Sequence, residues 1–120
     1  MELLQEIDAR VVVQKESGLK MRWFQGKESD LSVWQNSEGD IVHFQLSYGT
    51  AYVEWDREKG LKTGWVDDGE SNPGRNRSPI VHYDPYPDRK CIGWMAAQFD
   101  PISIYVDRNV RSFILQALHL

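Results

Sequence analysis

The sequence predicts an α+β fold: a curved antiparallel β-meander of about six strands, with a C-terminal helix packed on its apolar face. Three observations carry this expectation. The stretch Ile41 to Asp56, IVHFQLSYGTAYVEWD, alternates apolar and polar residues on either side of Gly49-Thr50. Glycine recurs at Gly18, Gly26, Gly39, Gly49, Gly60 and Gly69, each near the end of an apolar run. Behind Asp107, which suits a helix N-cap, Val110, Phe113, Ile114, Ala117 and Leu118 fall on one helical stripe that needs an apolar partner.

Leu3, Leu4 and Ile7 stand at helical spacing, so Met1 to Ala9 is expected to form a short amphipathic helix. Arg10 to Lys15, RVVVQK, is β-branched and reads as a strand, followed by a turn at Glu16-Ser17-Gly18. Leu19 to Gln25 alternates Leu19, Met21 and Trp23 against Lys20, Arg22 and Phe24, and the first set is assigned to the apolar side. Leu31 to Gln35 is the next strand, reversed by Asn36 to Gly39. A four-residue loop there sets Val33 opposite Val42, Leu31 opposite Phe44 and Ser32 opposite His43.

In the central hairpin, Val42, Phe44, Leu46 and Tyr48 share a face with Ala51, Val53 and Trp55. A glycine first in a two-residue loop suits a type II′ turn, because it reaches φ > 0 without a Cβ clash. Counting outward from that turn sets Leu46 against Val53 and Phe44 against Trp55. Leu61 to Val66 is a further strand whose register Gly64 obscures. Asp67 to Pro79, DDGESNPGRNRSP, is a long polar surface loop. Ile80 to Tyr83 reads as a strand stopped by Asp84-Pro85-Tyr86-Pro87. Ile92, Met95, Ala96 and Phe99 mark a helix over Asp88 to Phe99, while Pro101 to Val106 fits either a strand or an extended connector.

With 120 residues, 41% hydrophobic and 27% charged, the chain has the size and composition of one globular domain with its own core. The formal charge of −4 argues against a general nucleic-acid or anionic-membrane binder, which needs a cationic footprint. A single cysteine, Cys91, forms no internal disulfide, and no zinc-type spacing exists, so no cofactor is expected. The start, MELLQEIDAR, is too poor in apolar residues for a signal peptide, and no stretch is long enough to span a membrane; a cytoplasmic location is the expectation. Trp23, Trp34, Trp55 and Trp65 lie in predicted strands, where core bulk is their usual role.

The register that aligns the apolar face also aligns the opposite one. Ser47 faces Tyr52, Gln45 faces Glu54, and His43 faces Asp56, so an imidazole-carboxylate pair is expected with Asp56 orienting His43. The alternative is a solvated polar face, the usual outer surface of an antiparallel sheet. Ser32 lacks any nucleophile elbow. Asp67, Asp68 and Glu70 lack calcium-loop spacing, and Arg75 and Arg77 can either take an anionic group or pair with those acids. Lys20, Arg22, Trp23, Phe24 and Lys27 interleave bases with aromatics, as single-strand platforms do, yet the alternation parts Trp23 from the cations. His82 and Tyr83 stand at a possible pocket mouth, His119 in a terminal turn, and Cys91 reads as a packed thiol.

No catalytic signature emerges, and two classes of function are expected. One is a small non-enzymatic binding or protein-interaction domain using the polar-aromatic face of the sheet, with a protein partner or a second copy of itself. The other is a small-molecule-binding protein or hydrolase centred on His43 and Asp56. The candidate binding residues are His43, Gln45, Tyr52, Glu54, Asp56, Arg75 and Arg77. A cupped face that recesses His43 favours the small-ligand reading; a flat exposed one favours the interaction reading.

Overall fold

A computed structural model describes residues 2–12, 14, 18–67 and 80–119. Among them, strands β1 (Gln5–Glu6), β2 (Lys20–Gln25), β3 (Ser29–Gln35), β4 (Ile41–Tyr48), β5 (Ala51–Asp56), β6 (Gly60–Asp67) and β7 (Ile80–Tyr83) lie in sequence order in one open antiparallel sheet. Helices α1 (Arg89–Ile102) and α2 (Arg108–Leu118) follow. The α+β meander is therefore as expected, with one strand more than six and two helices, rather than the terminal one alone, contributing to the core.

The central hairpin has the register its turn dictates. His43 pairs with Asp56, Phe44 with Trp55, Gln45 with Glu54, Leu46 with Val53 and Ser47 with Tyr52. Gly49 has φ +60° while Thr50 stays at negative φ, the signature of a type II′ turn rather than type I′. The next reversal uses different means. The Asp56 carboxylate accepts the N–H groups of Glu58 and Lys59 at 2.9 and 3.1 Å, and Gly60 at φ +78° returns the chain opposite Asp56.

The core lies between one face of this sheet and the helices. Phe24, Leu31, Val33, Phe44, Leu46 and Val53 from the strands meet Met95, Phe99 and Ile114 from the helices, all fully buried. Trp55 links the layers, stacked on Phe44 at 5.9 Å and edge-on to Phe113 of α2 at 4.9 Å. Asp88 caps α1 and Asp107 caps α2, each accepting backbone N–H bonds from the first turn. The Asp107 carboxylate also lies 3.6 Å from Arg22, whose guanidinium grips Glu6 of β1 through two bonds of 2.8 and 2.9 Å. One side chain thus joins β1, β2 and the start of α2.

Four expectations for the first half of the chain are corrected. Residues 2–8 form no helix: Leu4 donates its N–H to Ile102 and Ile7 to Trp23, so the segment is claimed by the sheet edge and by the end of α1. Arg10 to Lys15 is not a strand where it is described; Val11 closes a turn on Asp8, and Gln14 reaches Met21 through its side chain. The faces of β2 are reversed. Phe24 is in the core with Arg22 above its ring at 5.3 Å, while Met21 and Trp23 are on the outer side. The reason is that Phe24 pairs with Leu31, and Arg22 finds two carboxylates at the sheet edge.

The register between β3 and β4 is also displaced by two residues from the expected one: Val33 pairs with Phe44, Leu31 with Leu46 and Ser32 with Gln45. The Asn36 carboxamide accepts the N–H groups of Glu38 and Asp40 and holds a reversal that closes between Asn36 and Asp40. A bulge beside Trp34 and Gln35 then leaves Val42 between the paired residues Ile41 and His43. Ile41 consequently turns to the core and Val42 away from it. A shift of two preserves faces while changing partners, so the other expected apolar positions of this hairpin hold.

The Leu61 to Val66 register, obscured in the sequence, sets Trp55 opposite Leu61, Val53 opposite Thr63 and Tyr52 opposite Gly64. Gly64 is required by crowding: a Cβ there would stand 2.3 Å from the carbonyl oxygen of His82 in β7. Pro101 is the penultimate residue of α1 and Ser103 to Val106 turns toward α2, so this segment contains neither a strand nor an extended connector. No helix among the described residues is long and apolar enough to cross a membrane.

Candidate functional site

The outer face of the sheet is cupped. A recess of about 420 Å³ is lined by Trp23 of β2, Asp30 and Ser32 of β3, Gln45 and Ser47 of β4, Tyr52 of β5, Val66 of β6 and Val81 of β7. Neighbouring strands stand roughly 4.8 Å apart, so a flat sheet would spread six of them over about 24 Å. Only a strongly curved sheet brings side chains from all six to one hollow. A second recess of about 680 Å³ adjoins it through the shared Gln45, and includes Leu19, Trp34, Val42, His43, Asp56, Arg57 and Glu58.

The expected pair forms in the second recess. His43 Nδ1 lies 3.2 Å from Asp56 Oδ2, and both side chains are partly buried. Asp56 accepts backbone N–H bonds from Glu58 and Lys59, and these, with His43, hold its carboxyl below the usual carboxylate range. The carboxylate can only accept, so Nδ1 carries the shared proton. The opposite ring nitrogen faces the Gln45 amide at 3.4 Å, and the Trp34 ring stands edge-on at 5.0 Å. Ser32, expected opposite His43, faces Gln45 and belongs to the other recess; Trp34 takes its place. No hydroxyl or thiol occurs among the described residues lining the His43 recess.

Tyr52 and Glu54 depart from a solvated face, since they are only 5% and 7% exposed. Glu54 accepts two phenol hydrogen bonds on Oε1, from Tyr52 and, at 2.8 Å, from Tyr83 of β7. The rings of the two tyrosines meet edge to face at 6.0 Å, and Lys62 lies 5.5 Å from the Tyr83 ring centre. Burial first, and then the Glu54 carboxylate, push both phenols above their ordinary pKa. Tyr83 of β7 thus reaches past β6 to the β5 carboxylate and helps to cover this cluster.

Asp30 is the residue the sequence reading passed over. It accepts the indole N–H of Trp23 and pairs with no cation among the described residues. Burial raises its carboxyl above the usual range, against the opposing pull of Trp23 and Gln25. Its signal was the parity of β2: had Phe24 been placed inward, Trp23 would have pointed to Asp30.

The tryptophans are not the core bulk expected of them, Trp55 excepted. Trp23 and Trp34 line the outer recesses; Trp65 is 50% exposed and stacks on His82 at 4.0 Å; and Trp94, edge-on to Tyr48, is 45% exposed. His82 thus stacks away from the recesses, while its neighbour Tyr83 joins the Glu54 cluster. Lys20 and Arg22 lie opposite Trp23 across β2, and Phe24 is buried, so the interleaved bases and aromatics form no common platform.

His119 closes α2 through its backbone N–H. The Cys91 thiol is pushed up by burial and then by Asp88 and Asp84, as suits a packed thiol. Arg75, Arg77, Asp68 and Glu70 lie outside the described residues. Among the described residues, no three His, Cys, Asp or Glu side chains gather as a metal site would require. Compared with protein families, curated proteins and solved structures, the chain matches none.

Proposed function

We propose that this chain is a non-enzymatic binding domain that presents the cupped outer face of its sheet to a protein partner. One observation carries the reading: Trp23 and Trp34 are spent on the outer recesses instead of the core. Each is only partly buried there, which leaves indole surface for a partner to cover, and tryptophan and tyrosine are enriched among residues that dominate binding energy. Polar groups surround them, as at the rim of an interface. A cytoplasmic setting belongs to this reading, since the lone Cys91 calls for no oxidising compartment.

The test is capture of a partner by the intact chain, followed by titration calorimetry with the purified partner. Trp34→Ala is expected to weaken binding at least tenfold, and Trp94→Ala, on α1, to leave it unchanged. The opposite dependence, or no protein bound by any form, would refute the reading.

A small-molecule or hydrolase reading is the one that a cupped face with His43 recessed favours, and it draws on the His43–Asp56 pair at 3.2 Å. Its obstacle is Gln45, which faces the ring nitrogen a substrate proton would need. Asp56→Asn would distinguish the readings, abolishing turnover if the pair is catalytic and sparing protein binding if it is structural.

A further inference from the structure

The Trp23–Asp30 recess has an unbalanced chemistry. Asp30 supplies the one formal charge among its described lining residues, and the rest are Ser32, Ser47, Gln45 and apolar or aromatic walls. Two of the nearby donors are already committed: the Trp23 indole N–H to Asp30, and the Tyr52 hydroxyl to Glu54. A carboxylate offers about four acceptor positions, so the bonds from Trp23 and Gln25 leave room for further donors. Trp23 fixes the carboxylate at the recess, and Val66, Val81 and the Tyr52 ring provide apolar surface for a flexible stem.

We infer that this recess receives a basic side chain, a lysine or arginine, from a protein partner. The argument rests on the binding-domain reading above and supplies its chemistry. Charge complementarity selects the occupant: a partly desolvated acid that meets no cation among the described residues gains most from one, and the chain as a whole has a net charge of −4. An aliphatic stem ending in a charged head matches apolar walls around a carboxylate. The raised carboxyl of Asp30 is consistent with an acid awaiting its counterion, and occupancy is expected to bring it down.

The test uses the intact chain labelled with ¹⁵N, with the Trp23 indole N–H resonance as reporter. Four probes are titrated: the capped peptides Ala-Arg-Ala, Ala-Gln-Ala and Ala-Glu-Ala, and butylammonium as a stem without a peptide. The arginine peptide is expected to shift the Trp23 signal saturably and to weaken as salt is added. Asp30→Asn, which keeps the shape and an acceptor for the indole, should reduce that binding at least tenfold. Its folding is checked by the unchanged amide spectrum of the core strands.

Equal binding of the glutamine peptide would overturn the cationic assignment while leaving a protein-binding face intact. Butylammonium, which reproduces a lysine side chain, is expected to bind more weakly than the arginine peptide and to lose that binding in Asp30→Asn; cation binding that survives Asp30→Asn would overturn the inference. No response to any probe would overturn the inference, whereas the outer-face reading stands or falls separately on Trp34→Ala.

Discussion

Glu54 offers the sharpest energetic test of the cup, because its carboxylate is buried and two phenols from different strands converge on one of its oxygens. Tyr52→Phe removes the better buried donor. A hydrogen bond to a charged group contributes about 1.5–3 kcal/mol net, and the upper half of that range suits a site this enclosed. Tyr83→Phe removes a donor from a ring that is 51% exposed, where water can substitute, so about 0.5–1 kcal/mol is expected. The double variant leaves the carboxylate without either phenol. Its loss should therefore exceed the sum of the single losses by roughly 1 kcal/mol, the coupling expected of residues in one network.

Urea unfolding at pH 7, followed by tryptophan fluorescence and far-UV circular dichroism, measures all four corners of the cycle. In a Glu54→Gln background the coupling should shrink, because a neutral amide needs the donors less. Additivity within about 0.3 kcal/mol, with each single loss below about 0.5 kcal/mol, would show Glu54 to be solvated and Tyr83 to be less firmly placed against it than described.

Further expectations follow from the same geometry. Both phenols have folded-state pKa values above their unfolded ones, so their stabilisation is complete below the unfolded phenol range and is lost as pH rises through the folded values. Tyr52→Phe should accordingly flatten the fall in urea midpoint above about pH 10. Asp30 obeys the same sign at lower pH: its carboxyl is raised in the fold, so its contribution is greatest in acid and disappears as pH rises through the folded value. Asp30→Asn should raise the urea midpoint at pH 7 relative to the parent and lose that advantage near pH 3; an advantage that grows in acid would contradict the desolvation account. Gly64→Ala forces a methyl against the β7 backbone and should cost about 1–3 kcal/mol by urea unfolding, with new chemical shifts in Val81 to Tyr83. Asp107→Ala removes the α2 cap together with one Arg22 partner and should cost about 1–2 kcal/mol, while Asp107→Asn, which still caps, should cost less.

What the sequence made legible was set by local rules. Gly49-Thr50 dictates a two-residue turn, and from it every pair of the central hairpin follows, including His43 with Asp56. The stripe of α2 and its cap Asp107 are local in the same sense. What was missed depends on tertiary claims. Leu3, Leu4 and Ile7 have helical spacing, yet the edge of β2 and the end of α1 hold the segment extended. Strand β2 has an aromatic on each face, so alternation alone could not choose between Trp23 and Phe24; the salt links of Arg22 to Glu6 and Asp107 help settle it. The bulge at Val42 depends on how the Asn36 carboxamide closes its loop. The burial of Tyr52 and Glu54 comes from sheet curvature, which no single strand encodes.

The strict order of the seven strands bears on how the protein is made. Each strand emerging from a ribosome finds its neighbour already present, so pairing can proceed one hairpin at a time, through short turns from β2 to β6 and through the longer connections 7–19 and 68–79 at the two ends. The water-shunning side of that growing sheet has no cover until residues 89–118 arrive. Throughout synthesis, Phe44, Leu46 and Val53 stand bare on a half-built molecule, a period in which chaperones would find their handhold.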